Sequence, residues 1–220
     1  MQFRAQSLGD LAEQPAATRV FLRRQLDFCC GGKRTLAEAC AGAGLDVTAV
    51  EQELAAEVAR GDDTARWSAR PQAELADHIE SHYHAALRRD VPALVEAARK
   101  VERVHAAKPA VPRGLADELA AFWIEMQDHM RKEELILFPL LRRGASSMAT
   151  HPIHRMLQEH DEHARRLVRI RELAGDLQPP PHGCATWRAL YAGLATMEAE
   201  LRVHIHLENN VLFARALEAA

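Results

Sequence analysis

Cysteine is scarce in this chain, aromatic residues are few, and no apolar run is long. Each shortage excludes something. Only Cys29, Cys30, Cys40 and Cys184 occur in 220 residues. Their spacing forms neither a disulfide framework nor a Cys-x-x-Cys zinc or redox motif, which fits a reducing compartment. The longest apolar stretch, Leu135 to Leu141, is far too short to cross a bilayer. The opening residues, Met1-Gln-Phe-Arg-Ala-Gln6, lack the apolar segment of a secretory signal. The formal net charge is −3, and no Lys/Arg cluster is dense enough to attract nucleic acid or a membrane surface. The expectation is a cytoplasmic protein with no nucleic-acid or membrane partner.

Histidine is abundant. Twelve occur, falling after residue 77. Imidazole is the commonest side-chain metal ligand, so the enrichment directs attention to metal chemistry.

The pattern along the chain is helical. Residues 1–60 read as a small helical domain. Pro15 opens a short helix through Val20, Phe21 and Leu22, and the segment Leu26 to Gly32 breaks it. Thr35-Leu-Ala-Glu38 is a capping box, Gly42 and Gly44 close the helix it opens, and Asp46 caps another carrying Val47, Val50, Leu54 and Val58. Residues 61–70 read as a linker with Trp67 as an anchor. Residues 71–220 predict four long helices. The first runs from Pro71 to about Val104, with a kink expected near Asp90 because Pro92 lies inside it. The second runs from about Leu115 to Arg142, the third from about Ile153 to Ala174, and the fourth from about Ala185 to Leu217. Short loops between them imply an up-down-up-down bundle, and the fold class is all-α.

Two helices carry the same pair. His129 and Glu133 stand four residues apart, as do His204 and Glu208. On a helix that spacing puts imidazole and carboxylate on one face, a turn apart. One such pair alone is more often an exposed ion pair or a satisfied core histidine. Two of them in a four-helix pattern point to a metal site, with one further histidine due from each partner helix. The first helix offers His78, His82 and His84, and its apolar positions Leu75, Ile79 and Ala86 favour His82. The third offers His154, His160 and His163, with His160 on the inner face and His163 at its side. Four imidazoles and two bridging carboxylates suit two metals with an open position on each, and this donor mixture suits iron before manganese or zinc.

Beyond these pairs the chain resembles a known family. The residues that carry the resemblance are Asp27-Phe-Cys-Cys-Gly-Gly-Lys33 with Thr35-Leu-Ala37, Asp77-His-Ile79 with Tyr83-His84, and Lys100-Val-Glu-Arg-Val-His105. They continue with His129-x-x-x-Glu133-Glu134, Ile136-Leu-Phe-Pro139, Glu159-His-Asp-Glu162, Pro179-Pro-Pro181 with Thr186-Trp187, and His204-x-x-x-Glu208-Asn-Asn-Val-Leu-Phe213. Over nearly its whole length the chain is similar to the repair-of-iron-centres proteins, which place a haemerythrin-like di-iron bundle behind a small cysteine-bearing domain. The resemblance implies iron ligands His84, His129, Glu133, His160, His204 and Glu208, and so chooses His84 over His82. It implies two iron ions with an oxo or hydroxo bridge. It also implies a role in restoring iron–sulfur clusters damaged by nitrosative or oxidative stress, as a repair or iron-donor protein more than a turnover enzyme. Damaged iron–sulfur proteins would be its partners and nitric oxide or oxygen its small ligands, with a homodimer one arrangement it allows. A gas sensor or a nitric-oxide-reducing protein is the alternative. An oxygen-carrying haemerythrin would place a fifth histidine one turn after His160, where this chain has Ala164.

Four more residues draw attention. Cys29 and Cys30, followed by Gly31 and Gly32, read as a thiol pair that handles iron, sulfur or an electron partner, with Lys33 and Arg34 favouring thiolate. The duller reading is a buried turn. Glu125, one turn before His129, and Glu159, beside His160, read as carboxylates that move protons or ions to the site, against a reading as solvated charges. Cys40 reads as core, Cys184 as incidental, and His105 as a cap at a helix C-terminus.

Overall fold

The computed structural model describes residues 3–59 and 67–220. Among them no strand occurs, and the only β-type pairing is an isolated bridge between Ser7 and Thr35.

The N-terminal residues form four short helices: α1 (Leu8–Ala12), α2 (Pro15–Arg23), α3 (Leu36–Ala43) and α4 (Val47–Ala59). Helix α1 was not foreseen, because one turn is too short for a periodic signal. Ser7 caps it by accepting from the Asp10 amide. The capping box forms as expected, with Thr35 N–H donating to Glu38 at 2.8 Å and Glu38 N–H donating to Thr35 at 3.2 Å. Gly44 ends α3 at φ 67°, a left-handed position that glycine adopts without strain. Leu8, Phe21, Phe28, Leu36 and Leu54 fill a core of their own, and Arg23 and Arg24 at the end of α2 bridge to Glu53 on α4.

Residues 60–66 lie outside the described chain, and with them most of the expected linker. At its end Trp67 stacks on His78, with ring centroids 4.4 Å apart, while Ser68 donates to Glu13. Trp67 therefore anchors on the bundle, and the neighbouring Ser68 reaches the N-terminal part.

The bundle has four helices. Helix α5 (72–104) joins Gln72–His78, a π-helical turn Ile79–His84, and Ala85–Val104. Helix α6 (115–142) joins Leu115–Lys132, a π turn Glu133–Leu137, and Phe138–Arg142. Helix α7 is Ser146–Leu173. Helix α8 (185–218) joins Ala185–His206, a π turn Leu207–Leu212, and Phe213–Glu218. Helix α5 packs on α6 and α8, and α7 packs on the same two, which closes an up-down-up-down bundle.

Two boundaries differ from the sequence reading. Helix α5 continues through Pro92, and its irregularity lies at residues 79–84. Helix α7 starts at Ser146, seven residues before Ile153, with Pro152 inside it. Burial of Ser146 and Ala149 in that first stretch outweighs the hydrogen bond that Pro152 cannot donate. The bundle core divides in two along its length. One half is built around Phe122, Trp187 and Leu194, and the other around Ile79, Phe138, Ile153 and Phe213. The histidines and carboxylates lie between the halves.

Candidate metal centre

Three of the four bundle helices carry a π turn, and each turn touches a candidate ligand. His84 is the last residue of the first, Glu133 begins the second, and Glu208 lies in the third. A π turn holds one residue more than an α turn and shifts the helix phase behind it by about 100°. On α5 this decides the ligand. Ile79 is buried, and the next buried position is five residues on, at His84. His82 is exposed and stacks on His78, so the preference drawn from periodicity is corrected.

His84, His129, Glu133, His160, His204 and Glu208 are all buried. They form two groups that could each hold a metal ion. His84, Glu133, His204 and Glu208 make one, and His129, Glu133, His160 and Glu208 the other. Both carboxylates belong to both groups, and the donor atoms in each lie within 4.8 Å of one another. Glu133 lies 3.4 Å from His84 and 3.5 Å from His129, while Glu208 lies 2.9 Å from His204 and 3.2 Å from His160. The Nε2 atoms of His129 and His160 face each other at 3.1 Å, so at most one proton fits between two lone pairs.

The donors fit a cation. Both Glu133 oxygens, Glu208 Oε2 and His84 Nε2 are buried without a hydrogen-bond partner. Such groups cost several kcal/mol each to bury unpaired, and a cation among them supplies the missing partner. Charge balance makes the same point. Burial works to lower the His84 pKa, but Glu133 and Glu134 outweigh it and push it up to about 9. His160 is pushed up to about 9 in the same way, with Glu208 and Glu133 overcoming burial. Burial works to raise Glu208, yet His204 and His160 hold it well below the usual carboxylate range. Protons here do what metal ions would do.

The outer nitrogens of three histidines are held by further residues. His84 Nδ1 lies 2.7 Å from Glu134, His129 Nδ1 3.0 Å from Glu159, and His160 Nδ1 2.6 Å from Asn209. A proton on each Nδ1 leaves Nε2 free to face inward, the arrangement in which imidazoles bind metals. His204 has no such partner at Nδ1 and is stacked on Tyr83 at 5.3 Å.

Comparison with known proteins agrees with this geometry. Residues 75–216 match the haemerythrin HHE cation binding domain, and residues 4–58 match ScdA_N, a domain of unknown function. The iron–sulfur cluster repair protein YtfE of Yersinia pseudotuberculosis serotype IB (strain PB1/+) is 47% identical over 218 residues, covering 99% of both chains. The YtfE protein of Yersinia pestis (strain Pestoides F) is similar to the same extent. The chain belongs to the iron–sulfur cluster repair family of haemerythrin-domain proteins.

Within this family's haemerythrin fold, the remaining site expectations fall out unevenly. Glu159 is buried beside the cluster and fully engaged, by His129, by Lys132 at 2.8 Å and by Arg155 at 2.7 Å. It orients His129. Glu125 is a correction: its carboxylate is exposed and forks with Arg166 at 2.5 and 2.6 Å, on the outer side of α6. His163 is buried edge-on against His129 and belongs to neither group. Burial, with the charges of His129 and His160, lowers it to about 2, so it stays neutral. Ala164 offers no donor one turn after His160.

The thiol pair of the N-terminal ScdA_N part docks directly on the haemerythrin part. Asn209 Nδ2 donates to the Cys29 carbonyl at 3.2 Å while its Oδ1 meets His160. Asn210 Nδ2 donates to the same carbonyl at 3.1 Å. A single side chain thus joins the cysteine loop to a candidate ligand. Gly32 allows this approach, because a Cβ there would overlap the Asn210 amide. The expected role of Lys33 and Arg34 is corrected. Lys33 is exposed, and Arg34 lies 3.8 Å from Asp27. A hydrogen bond to Cys29 and burial push the Cys30 thiol far up, and the cation facing Cys29 is Arg202 of α8. Cys40 is core as expected. His105 does not cap its helix through the ring: its Nε2 lies 3.2 Å from Cys184 Sγ. Sequence reasoning missed Asn209, Asn210, Arg202 and Glu134 as site residues, although Glu134 and both asparagines directly follow the ligand motifs.

Proposed function

We propose that this protein holds two irons between its bundle helices and takes part in restoring iron–sulfur clusters damaged by nitrosative or oxidative stress. The observation that carries the reading is the pair of overlapping donor groups sharing Glu133 and Glu208. One iron would be held by His84 and His204, the other by His129 and His160, with both carboxylates bridging. When bound, the pair supplies redox chemistry and a source of exchangeable iron. The protein's own groups do the rest. Glu134, Glu159 and Asn209 fix the imidazoles. The apolar halves of the core exclude water from either side. The relatives named for cluster repair support the client, a damaged iron–sulfur protein. In this reading residues 1–60 are a cysteine-bearing domain that meets the client or passes electrons, and 71–220 are the iron-holding bundle, with 61–70 linking them. Four free cysteines agree with a reducing cytoplasm. Among the described residues no helix is long and apolar enough to cross a membrane.

A second reading has one observation in its favour. A cavity of about 270 Å³, lined mainly by apolar side chains including Leu87, Leu94, Met197 and Leu201, reaches His204 and Tyr83. It suits a small apolar ligand such as nitric oxide or oxygen, and so a gas-binding or nitric-oxide-reducing role for the same centre.

Repair separates the two. An enzyme with a damaged cluster is incubated with the iron-loaded protein, with Cys29→Ser/Cys30→Ser protein, or with Glu133→Gln/Glu208→Gln protein, and regain of activity is followed. Wild type should restore activity, the thiol variant less, and the carboxylate variant none. Equal restoration by the carboxylate variant would sink the proposal.

A further inference from the structure

The cysteine loop carries a third group of metal-type donors, apart from the bundle: Asp27, Cys29 and Cys30. Asp27 Oδ1 lies 3.3 Å from Cys29 Sγ, and the three donor atoms lie within 4.8 Å of one another. In a tetrahedral site with metal–sulfur legs of about 2.3 Å and metal–oxygen legs of about 2.1 Å, the sulfur–oxygen edge is about 3.6 Å. The Asp27–Cys29 edge is close to that value, and the remaining edges lie within 4.8 Å. Asp27 is already aimed, since its Oδ1 also accepts from the Cys30 amide at 3.1 Å. Cys29 is buried and Cys30 half-buried, which leaves one side open for a water or an incoming ligand.

We propose that Asp27, Cys29 and Cys30 form a second metal site, one that takes a single thiophilic divalent cation such as ferrous iron. Two sulfurs and one carboxylate select a softer ion than the imidazole and carboxylate donors of the bundle. The charges around the site agree. Asp161 adds negative charge beside Cys30, which favours a cation there. Arg202, tied to Glu198 at 3.0 and 3.1 Å, is the guanidinium on the α8 side of the loop. Position gives the site its use. The Cys29 carbonyl and His160 are the two ends of Asn209, so an ion here is one side chain away from a ligand of the bundle. That the ion is iron in transit to or from the bundle rests on the di-iron reading. That the site binds a cation does not.

The test uses the full chain with its bundle loaded with iron. Cobalt(II) is added, and cobalt per chain and thiolate-to-cobalt charge-transfer absorption are read after desalting. Wild type should retain one cobalt with thiolate bands. Cys30→Ser and Asp27→Asn should each weaken cobalt binding about tenfold or more, with bundle iron and helical circular dichroism unchanged. Asp27→Asn keeps the acceptor for the Cys30 amide, so it separates ligation from loop folding. Absence of thiolate bands in wild type, or bands undiminished in Asp27→Asn, would overturn the site. Thiolate bands together with fewer than two bundle irons would instead count against the di-iron reading alone.

Discussion

Asn209 shows how much one uncharged side chain can carry. It fixes the ring of His160 with one end and the cysteine loop with the other. Outer partners of this kind usually contribute about 10–100-fold to metal affinity. Asn209→Ala should weaken iron retention by about that factor against a chelator, and should raise the rate at which Cys29 is alkylated. Unchanged iron retention would mean that His160 is held by packing alone, and unchanged alkylation that the Asn209 contact does not hold the cysteine loop. At this scale the sequence was legible where the spacing was short. His129 with Glu133, and His204 with Glu208, follow from a single α turn. His84 was not legible from periodicity, because the extra residue of the 79–84 turn moves the inner face from His82 to His84, and hydrophobic spacing does not register a π turn. The family resemblance supplied that residue. Glu125 misled for a related reason: sharing a turn with His129 did not make it share the buried face, which passes through Met126.

Among the elements, the docking of the cysteine loop on α8 is the most specific. It depends on backbone approaching a side chain where no Cβ fits: at Gly32 a Cβ would stand 2.9 Å from the Phe28 carbonyl and overlap the Asn210 amide. Gly32→Ala should cost about 1–3 kcal/mol of stability, the usual price of overpacking. Its effect should fall on the loop, with faster amide exchange around Cys29, while the bundle keeps its iron because all six candidate ligands lie on α5 to α8. Iron loss in this variant would show that the two parts form one cooperative site. The elements themselves were largely readable from capping and period. The α3 capping box and the Gly44 terminus match their local signals. The start of α7 was not readable, because Pro152 gives a strong local stop signal that only tertiary burial of Ser146 and Ala149 overrides.

Taken as a whole, the molecule is a bundle whose core is interrupted midway by the six candidate ligands and the Glu159 and His163 packed beside them. Apolar clusters above and below carry its stability, and the polar belt is the costly part. Four imidazoles and two carboxylates are buried together in two groups that share both carboxylates, and the proposal of two metal ions rests on that division. The all-α bundle was legible from the helix count and loop lengths. The contact between the cysteine loop and His160 was not, since residues 29 and 209 are brought together only by folding. The measurement that bears most directly on the central claim is iron content with Mössbauer spectroscopy on the purified full chain. Two irons per chain, giving the diamagnetic ground state of a coupled ferric pair and lost together in Glu133→Gln, are the predicted result. One iron per chain, or a single zinc, would contradict it.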